Sequence, residues 1–255
     1  MNILTWNING IRSAMPKGLS QILDSGVWDV VCLQETRTSQ KAIPAIPGGY
    51  GAAWSFANKN GYAGTAILCK SNPLSVHEGL DDERFDAEGR SITIEVPEAY
   101  IVNLYAPVCQ AGFARLDYRL AWEECVREYI ANLMVIKPVI VCGDLNVAAT
   151  EYDVFSPIMF QNLPGFSFKE KQEFKKLTDL GLVDLWRAQN PYEKQYTWWS
   201  NAGNCRKLNR GWRLDYILVQ ESLIKGDSTA CNASVRIMKE ILGSDHCPVS
   251  MRIDF

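Results

Sequence analysis

Val139-Ile140-Val141-Cys142-Gly143-Asp144-Leu145-Asn146 is an apolar run that ends, through a glycine, on a carboxylate and an amide. A run this short and rich in β-branched residues reads as a buried strand over 138–142. An unpaired charge directly behind such a strand would be costly, so Asp144 is expected to meet a cation or several hydrogen-bond donors. Asn146, two residues on, projects to the same side if the chain stays extended.

Working outward, similar apolar runs lie at 3–6, 29–33, 63–69, 91–96, 100–104, 214–219 and 249–253. Between them, 115–134 has helical spacing, with Leu116, Leu120, Val126, Ile130 and Leu133 on one face. A second helix is expected over 168–180, ended by Gly181. Strands and helices alternate along the whole chain without a linker or repeat. The expectation is one α/β domain over residues 1–255 with a large buried β component.

Composition bounds the function. The 255 residues carry 26 Lys+Arg against 29 Asp+Glu, a formal net charge of −3, with 47% hydrophobic residues. This is globular composition and excludes a disordered chain. It also excludes a nucleic-acid binder that works by bulk positive charge, so any polyanion partner needs a local patch or a bound cation. No run approaches 18 apolar residues, and no basic-then-apolar leader is visible, so a membrane span and a signal peptide are not expected. The eight cysteines, including Cys231, are scattered without Cys-x-x-Cys spacing, several inside apolar runs. They read as reduced thiols of a cytoplasmic protein.

Polar residues gather where strands begin or end. Trp6 runs into Asn7-Ile8-Asn9, Leu33 into Gln34-Glu35, and Cys142 into Gly143-Asp144-Leu145-Asn146. Asp215 opens another apolar run, and Ser244-Asp245-His246 precedes the last. Such residues collect a polar site at one edge of a sheet. Oxygen donors with a single histidine favour Mg²⁺ or Mn²⁺, and two histidines in the whole chain exclude a tris-histidine zinc site.

Glu35 taken alone is either a solvated strand-end carboxylate or a metal ligand. His77 reads as a surface or strand-face residue. His246 is either a satisfied core histidine or a functional one, oriented by a carboxylate such as Asp215. The segment 206–213 holds Arg206, Lys207, Arg210 and Arg213 with no acid, beside Trp198, Trp199 and Trp212. Basic residues among aromatics suit a phosphate backbone and an unstacked nucleotide; a solvated loop is the plainer alternative.

Six motifs appear in order: Trp6-Asn7-Ile8-Asn9-Gly10-Ile11-Arg12, Leu33-Gln34-Glu35-Thr36, Asn103-Leu104-Tyr105-Ala106-Pro107, Gly143-Asp144-Leu145-Asn146-Val147-Ala148, Gly211-Trp212-Arg213-Leu214-Asp215-Tyr216 and Ser244-Asp245-His246-Cys247-Pro248. Together they resemble the exonuclease III branch of apurinic/apyrimidinic endonucleases, within the endonuclease/exonuclease/phosphatase superfamily. Gly61-Tyr62-Ala63-Gly64-Thr65-Ala66 points to the same DNA-repair branch. The resemblance implies a four-layered α/β sandwich, two mixed β-sheets packed face to face with helices outside. It implies Glu35 as the main Mg²⁺ ligand (Mn²⁺ substituting) with Asn7 and Asp245 close to the metal. Asp144 would position or deprotonate the attacking water, helped by Asn146 and Asn9. Asp215 would orient His246, which with Tyr105 would bind the scissile phosphate.

The resemblance further implies an abasic-site endonuclease and/or 3′-5′ exodeoxyribonuclease with 3′-end trimming, acting as a monomer on double-stranded DNA with abasic sites or 3′ ends. Trp198, Trp212 and Leu214 would form the pocket for a flipped-out sugar, and Arg206 and Arg210 would help hold the DNA. The chain departs from the family pattern at Val108-Cys109-Gln110-Ala111-Gly112. It departs again over 149–164, where Ser156, Phe160 and Leu163 stand at asparagine positions. These changes predict weak, salt-sensitive duplex binding. They also keep open a related phosphatase or phosphodiesterase for RNA ends or small phosphoesters, and more remotely a DNA-end binder without turnover.

Overall fold

In the computed structural model, residues 1–225 and 232–255 are described; Cys231 lies outside them. In chain order the strands are β1 (Asn2–Asn7), β2 (Val30–Gln34), β3 (Gly51–Ser55), β4 (Thr65–Cys69), β5 (Ser75–Glu78) and β6 (Ser91–Glu95). They continue with β7 (Tyr100–Tyr105), β8 (Val139–Asp144), β9 (Leu182–Asp184), β10 (Asp215–Gln220), β11 (Ala233–Ile237) and β12 (Val249–Ile253). One sheet runs β11-β12-β1-β2-β4-β3 and the other β5-β6-β7-β8-β10-β9. Each is antiparallel except for one central parallel pair, β1/β2 and β7/β8. The connection from β7 to β8 contains the helix Leu116–Ile136.

The two-residue period of the strands builds four layers. On the inner faces Ile3, Cys32, Ile67, Ile101, Ile140, Cys142 and Ile217 form one core between the sheets. The alternate residues Leu4, Trp6, Val31 and Leu33 face outward and pack with Ile11, Leu19 and Leu23 of the N-terminal helices. On the far side, Val102, Leu104, Val139 and Val141 pack with Trp122, Val126 and Ile130 of the long helix and Phe174 and Leu177 of the helix Phe168–Thr178. This is the expected four-layered sandwich.

The face of the long helix differs from the expected one. Its fully buried line is Arg119, Trp122, Val126 and Ile130, while Leu116, Leu120 and Leu133 are only half-buried. The arginine sits inward because its guanidinium donates to the carbonyls of Pro107 and Leu145, both at 2.6 Å, and pairs with Glu123. His77 lies on edge strand β5, paired with Asp81, as a surface histidine. The seven described cysteines are free thiols. No described helix is long and apolar enough to cross a membrane.

Toward the site, the inner faces of the central strands change from hydrocarbon to polar side chains. Beyond Ile3 and Cys32 come Thr5 and Gln34; beyond Ile101 come Asn103 and Tyr105; beyond Cys142 comes Asp144. The Gln34 amide donates to Thr5 Oγ1 at 2.8 Å and across the sheets to Asn103 Oδ1 at 2.7 Å. Asn103 in turn donates to the carbonyls of Leu33 and Ala66. These bonds satisfy polar groups that burial would otherwise penalise.

Gly143 lets β8 deliver Asp144. Its φ is 141°, and a Cβ there would stand 1.9 Å from the Leu104 carbonyl oxygen of neighbouring β7. Only glycine fits beside that backbone. Gly143→Ala should therefore destabilise the protein by about 3 kcal/mol or more, through backbone strain and overpacking. Urea denaturation checks this; a midpoint unchanged from the parent would show that the two strands can part.

Candidate active site

The ends of β1, β2, β7, β8 and β10 meet the segment before β12 at one edge of the sandwich. Asn7 is fully buried there, and its NH2 donates to Glu35 Oε1 at 2.9 Å and to Asp144 Oδ2 at 2.8 Å. It bridges a carboxylate of one sheet to a carboxylate of the other. Glu35 also accepts the Tyr105 hydroxyl at 2.8 Å and pairs with Arg37. Asp144 Oδ1 accepts the backbone N–H of Asn146 at 3.0 Å, and the Asn146 amide donates to the Ala106 carbonyl.

His246 Nδ1 lies 2.8 Å from Asp215 Oδ2, and its Nε2 lies 3.8 Å from Asp144 Oδ2. The Thr197 hydroxyl accepts the backbone N–H groups of Leu214 and Asp215 and so fixes the strand start that carries Asp215. Asp245 accepts from Asn9 Nδ2 at 2.8 Å and from the Trp198 indole at 3.2 Å. Several residues here adopt left-handed backbone: Asn9 (φ 48°), Glu35 (φ 51°), Arg37 (φ 47°) and Asn146 (φ 47°). For Glu35 and Arg37 this conformation is uncommon and costly, and such strain gathers at functional sites. It is held by backbone bonds from Gly10 to Glu35 and from Arg37 to Ala63.

Electrostatics divide the groups by role. Burial alone would lower the His246 pKa, but Asp215 and Asp144 outweigh it and raise it to about 10. The ring is thus an imidazolium at neutral pH with two N–H donors. Burial first, and then Asp215, push the Asp144 carboxyl up to about 7 against the pull of His246. Burial also works to raise Asp245, but His246 and the donors Asn9 and Trp198 hold it below the usual carboxylate range. The Tyr105 hydroxyl is pushed well above its ordinary value by burial and by Glu35 and Asp144, which keeps it a neutral donor.

The carboxylates Glu35, Asp144, Asp215 and Asp245 outnumber the cations beside them among the described residues: His246, Arg37 and, toward Asp245, Arg206. The excess of carboxylate suits a divalent cation, and the donors are hard oxygens. Among the described residues, Asp144, Asp215 and His246 are the acid and histidine set whose ligand atoms lie within 4.8 Å of one another. Asp215 Oδ2 is spent on His246 while its Oδ1 has no hydrogen-bond partner among the described residues; the oxygens of Glu35 and Asp144 all accept hydrogen bonds or an ion pair, which a cation there would share.

A cleft of about 290 Å³ opens over these groups. Its polar wall is Asn9, Glu35, Asp144, Asn146, Asp245 and His246; its apolar wall is Val108, Pro164, Trp198, Trp212 and Leu214. The pattern of the endonuclease/exonuclease/phosphatase family matches residues 4–246. The chain belongs to this family. It is 40% identical to an exodeoxyribonuclease of Bacillus subtilis across all of both chains. It is 38% identical to the DNA repair nuclease APEX1 of Danio rerio, over 98% of this chain and 81% of that one. Among solved structures, the AP endonuclease LMAP of Leishmania major superposes with TM-score 0.88 at 29% identity, over 100% of this chain and 87% of its own. The 3′-5′ exonuclease NExo of Neisseria meningitidis superposes with TM-score 0.87 at 29% identity over all of both chains.

Most of the residues expected in the family's site stand around this cleft, but three are placed differently from expectation. Asn7 turns its NH2 toward the carboxylates while its oxygen accepts the Asn9 N–H, so it bridges Glu35 and Asp144. Arg206 does not offer its guanidinium to solvent: it donates to the carbonyls of Ser244, Lys239 and Ile241 and lies over the Trp199 ring. Arg213 is buried between Asp153 and Asp184. The apparent charge of +4 over 206–213 thus shrinks to the exposed Lys207 and Arg210. Thr197 and Arg119 were not signalled by sequence, since each acts through contacts far along the chain.

The raised Asp144 pKa fixes a sign. Because the folded state disfavours its ionised form, the penalty is absent near pH 4, grows as pH rises toward about 7, and is complete above that. Asp144→Asn should therefore raise the melting temperature in EDTA at pH 8, with the gain shrinking toward pH 4. A gain that is the same at both pH values would contradict the assignment.

Proposed function

We propose that the chain is a metal-dependent phosphodiesterase of DNA repair, one domain that incises abasic sites and trims 3′ ends. The observation that supports this best is the two-walled cleft: acids, amides and an imidazolium on one side and an indole-lined apolar surface on the other. A phosphate needs the first wall, and a sugar that has lost or turned out its base suits the second. The AP endonuclease and exodeoxyribonuclease relatives support the same substrate class. A Neisseria 3′ phosphatase solved with product DNA hairpin, 28% identical, supports 3′-end trimming.

In this reading His246 donates Nε2–H to a non-bridging phosphate oxygen while Asp215 fixes the ring. Tyr105 supplies a second neutral donor. Asp144, whose carboxylate is held by Asn7 and Asn146, accepts a proton from the water that attacks phosphorus in line. The P–O bond to that water forms as the bond to the 3′-oxygen breaks. Glu35 would hold Mg²⁺ (or Mn²⁺), with Asp245 on the other side of Asn9, and the cation would neutralise the phosphate and leaving oxygens. Trp198, Trp212 and Leu214 exclude water from the sugar side. Arg210, with Lys207, is left exposed in that segment to meet the backbone.

The test is incision of an abasic-site duplex and resection of a recessed 3′ end, with Mg²⁺ and with EDTA. Both activities should be lost in EDTA and return with excess Mg²⁺. Absence of both, or indifference to EDTA, overturns the proposal. Within it, Asp144→Asn or His246→Ala should lower turnover by about 10²–10⁴-fold with the fold retained; near-parental turnover in either variant would remove that residue from the chemistry.

A further inference from the structure

The helix Pro157–Phe160 and the turn after it form a rim of the cleft with an unusual surface. Ile158 is 92% exposed, Met159 67% and Leu163 45%, side by side on one short segment. The segment is not loose from the site. Phe160 packs edge-to-face on Trp212 at 4.9 Å and on Phe155 at 5.2 Å, and Pro164 and Gly165 line the cleft itself. Its charge is equally distinctive: from residue 138 to residue 168 there is no Lys or Arg, while Asp144, Glu151 and Asp153 are all acids.

A rim without cations cannot draw in phosphates, and contiguous exposed apolar groups beside a cleft mark an interaction surface. What a nucleic acid offers besides phosphate is the faces of its bases, and these are available only where bases are unpaired. Unstacked bases rest on apolar and aromatic side chains, and Ile and Met are among the residues that occupy opened base steps. Resting on the reading above, we propose that Ile158 and Met159 form a shelf for unpaired bases of the substrate strand beside the scissile phosphate. The cleft is thereby selective for frayed or mismatched flanks over fully paired ones. Phe160 fixes the shelf against Trp212, so a base lying on it continues the apolar wall that faces the sugar.

The experiment compares two abasic duplexes that differ only in whether the two base pairs flanking the lesion are matched or mismatched. The parent should cleave the mismatched-flank duplex with kcat/KM about tenfold higher than the paired one. The double variant Ile158→Ser/Met159→Ser, both exposed and outside the catalytic groups, should lose that preference to within about twofold while holding its rate on the paired duplex. Because the shelf is uncharged, the lost preference should be the same at low and high salt. Circular dichroism and the melting curve confirm that the variant is folded. A parent without preference, or a variant that keeps it, overturns the shelf while leaving the nuclease reading intact. No cleavage of either duplex by the parent removes both.

Discussion

A single buried amide holds the site together. Asn7 ends the central strand of one sheet, and its NH2 reaches Glu35 on the neighbouring strand end and Asp144 on the opposing sheet. Two carboxylates brought this close in a dry place repel each other and lose hydration. The amide offsets part of both costs with two N–H donors, and its own oxygen is satisfied by Asn9. Beneath it, Gln34 and Asn103 repeat the device, tying the sheets by amides where a purely apolar core would give no fixed registry. The acids can therefore sit at the sandwich edge in one geometry, with the remaining excess of negative charge left for a cation to offset.

The arginines show what this costs. Arg119 holds the carbonyls of Pro107 and Leu145, immediately beyond Tyr105 and Asp144. Arg206 holds three carbonyls in the loop leading to Asp245. Arg213 binds Asp153 and Asp184 between the two pocket residues Trp212 and Leu214. Each fixes one loop that carries functional groups, with the planar fork that lysine lacks. Positive charge spent inside in this way is absent from the DNA-facing surface. The formal net charge is already −3, and the segment 138–168 carries no cation to compensate.

The central strands were legible because strands covered on both faces read as continuous apolar runs. The four strands that escaped, β3, β5, β9 and β11, are all sheet edges. Their exposed or interrupted burial, as in Ser75–Glu78, leaves no run to detect. The site's composition was legible from acids and amides at strand ends. Its geometry was not: the left-handed Glu35 depends on a bond from Gly10, and the inward turn of the half-buried Arg206 depends on carbonyls more than thirty residues away. Charge counted along the chain cannot separate a guanidinium aimed at solvent from one aimed inward.

The central claim is that Asp215, His246 and Asp144 act as one line across the two sheets, with Asp215 working only through the imidazolium. A double-mutant cycle in single-turnover cleavage of an abasic duplex tests it most directly. Asp215→Asn should slow the parent strongly, yet slow the His246→Ala variant by less than about twofold, because the ring it orients is gone. Losses that multiply in the double variant would mean that Asp215 acts on the substrate independently, and would contradict the account.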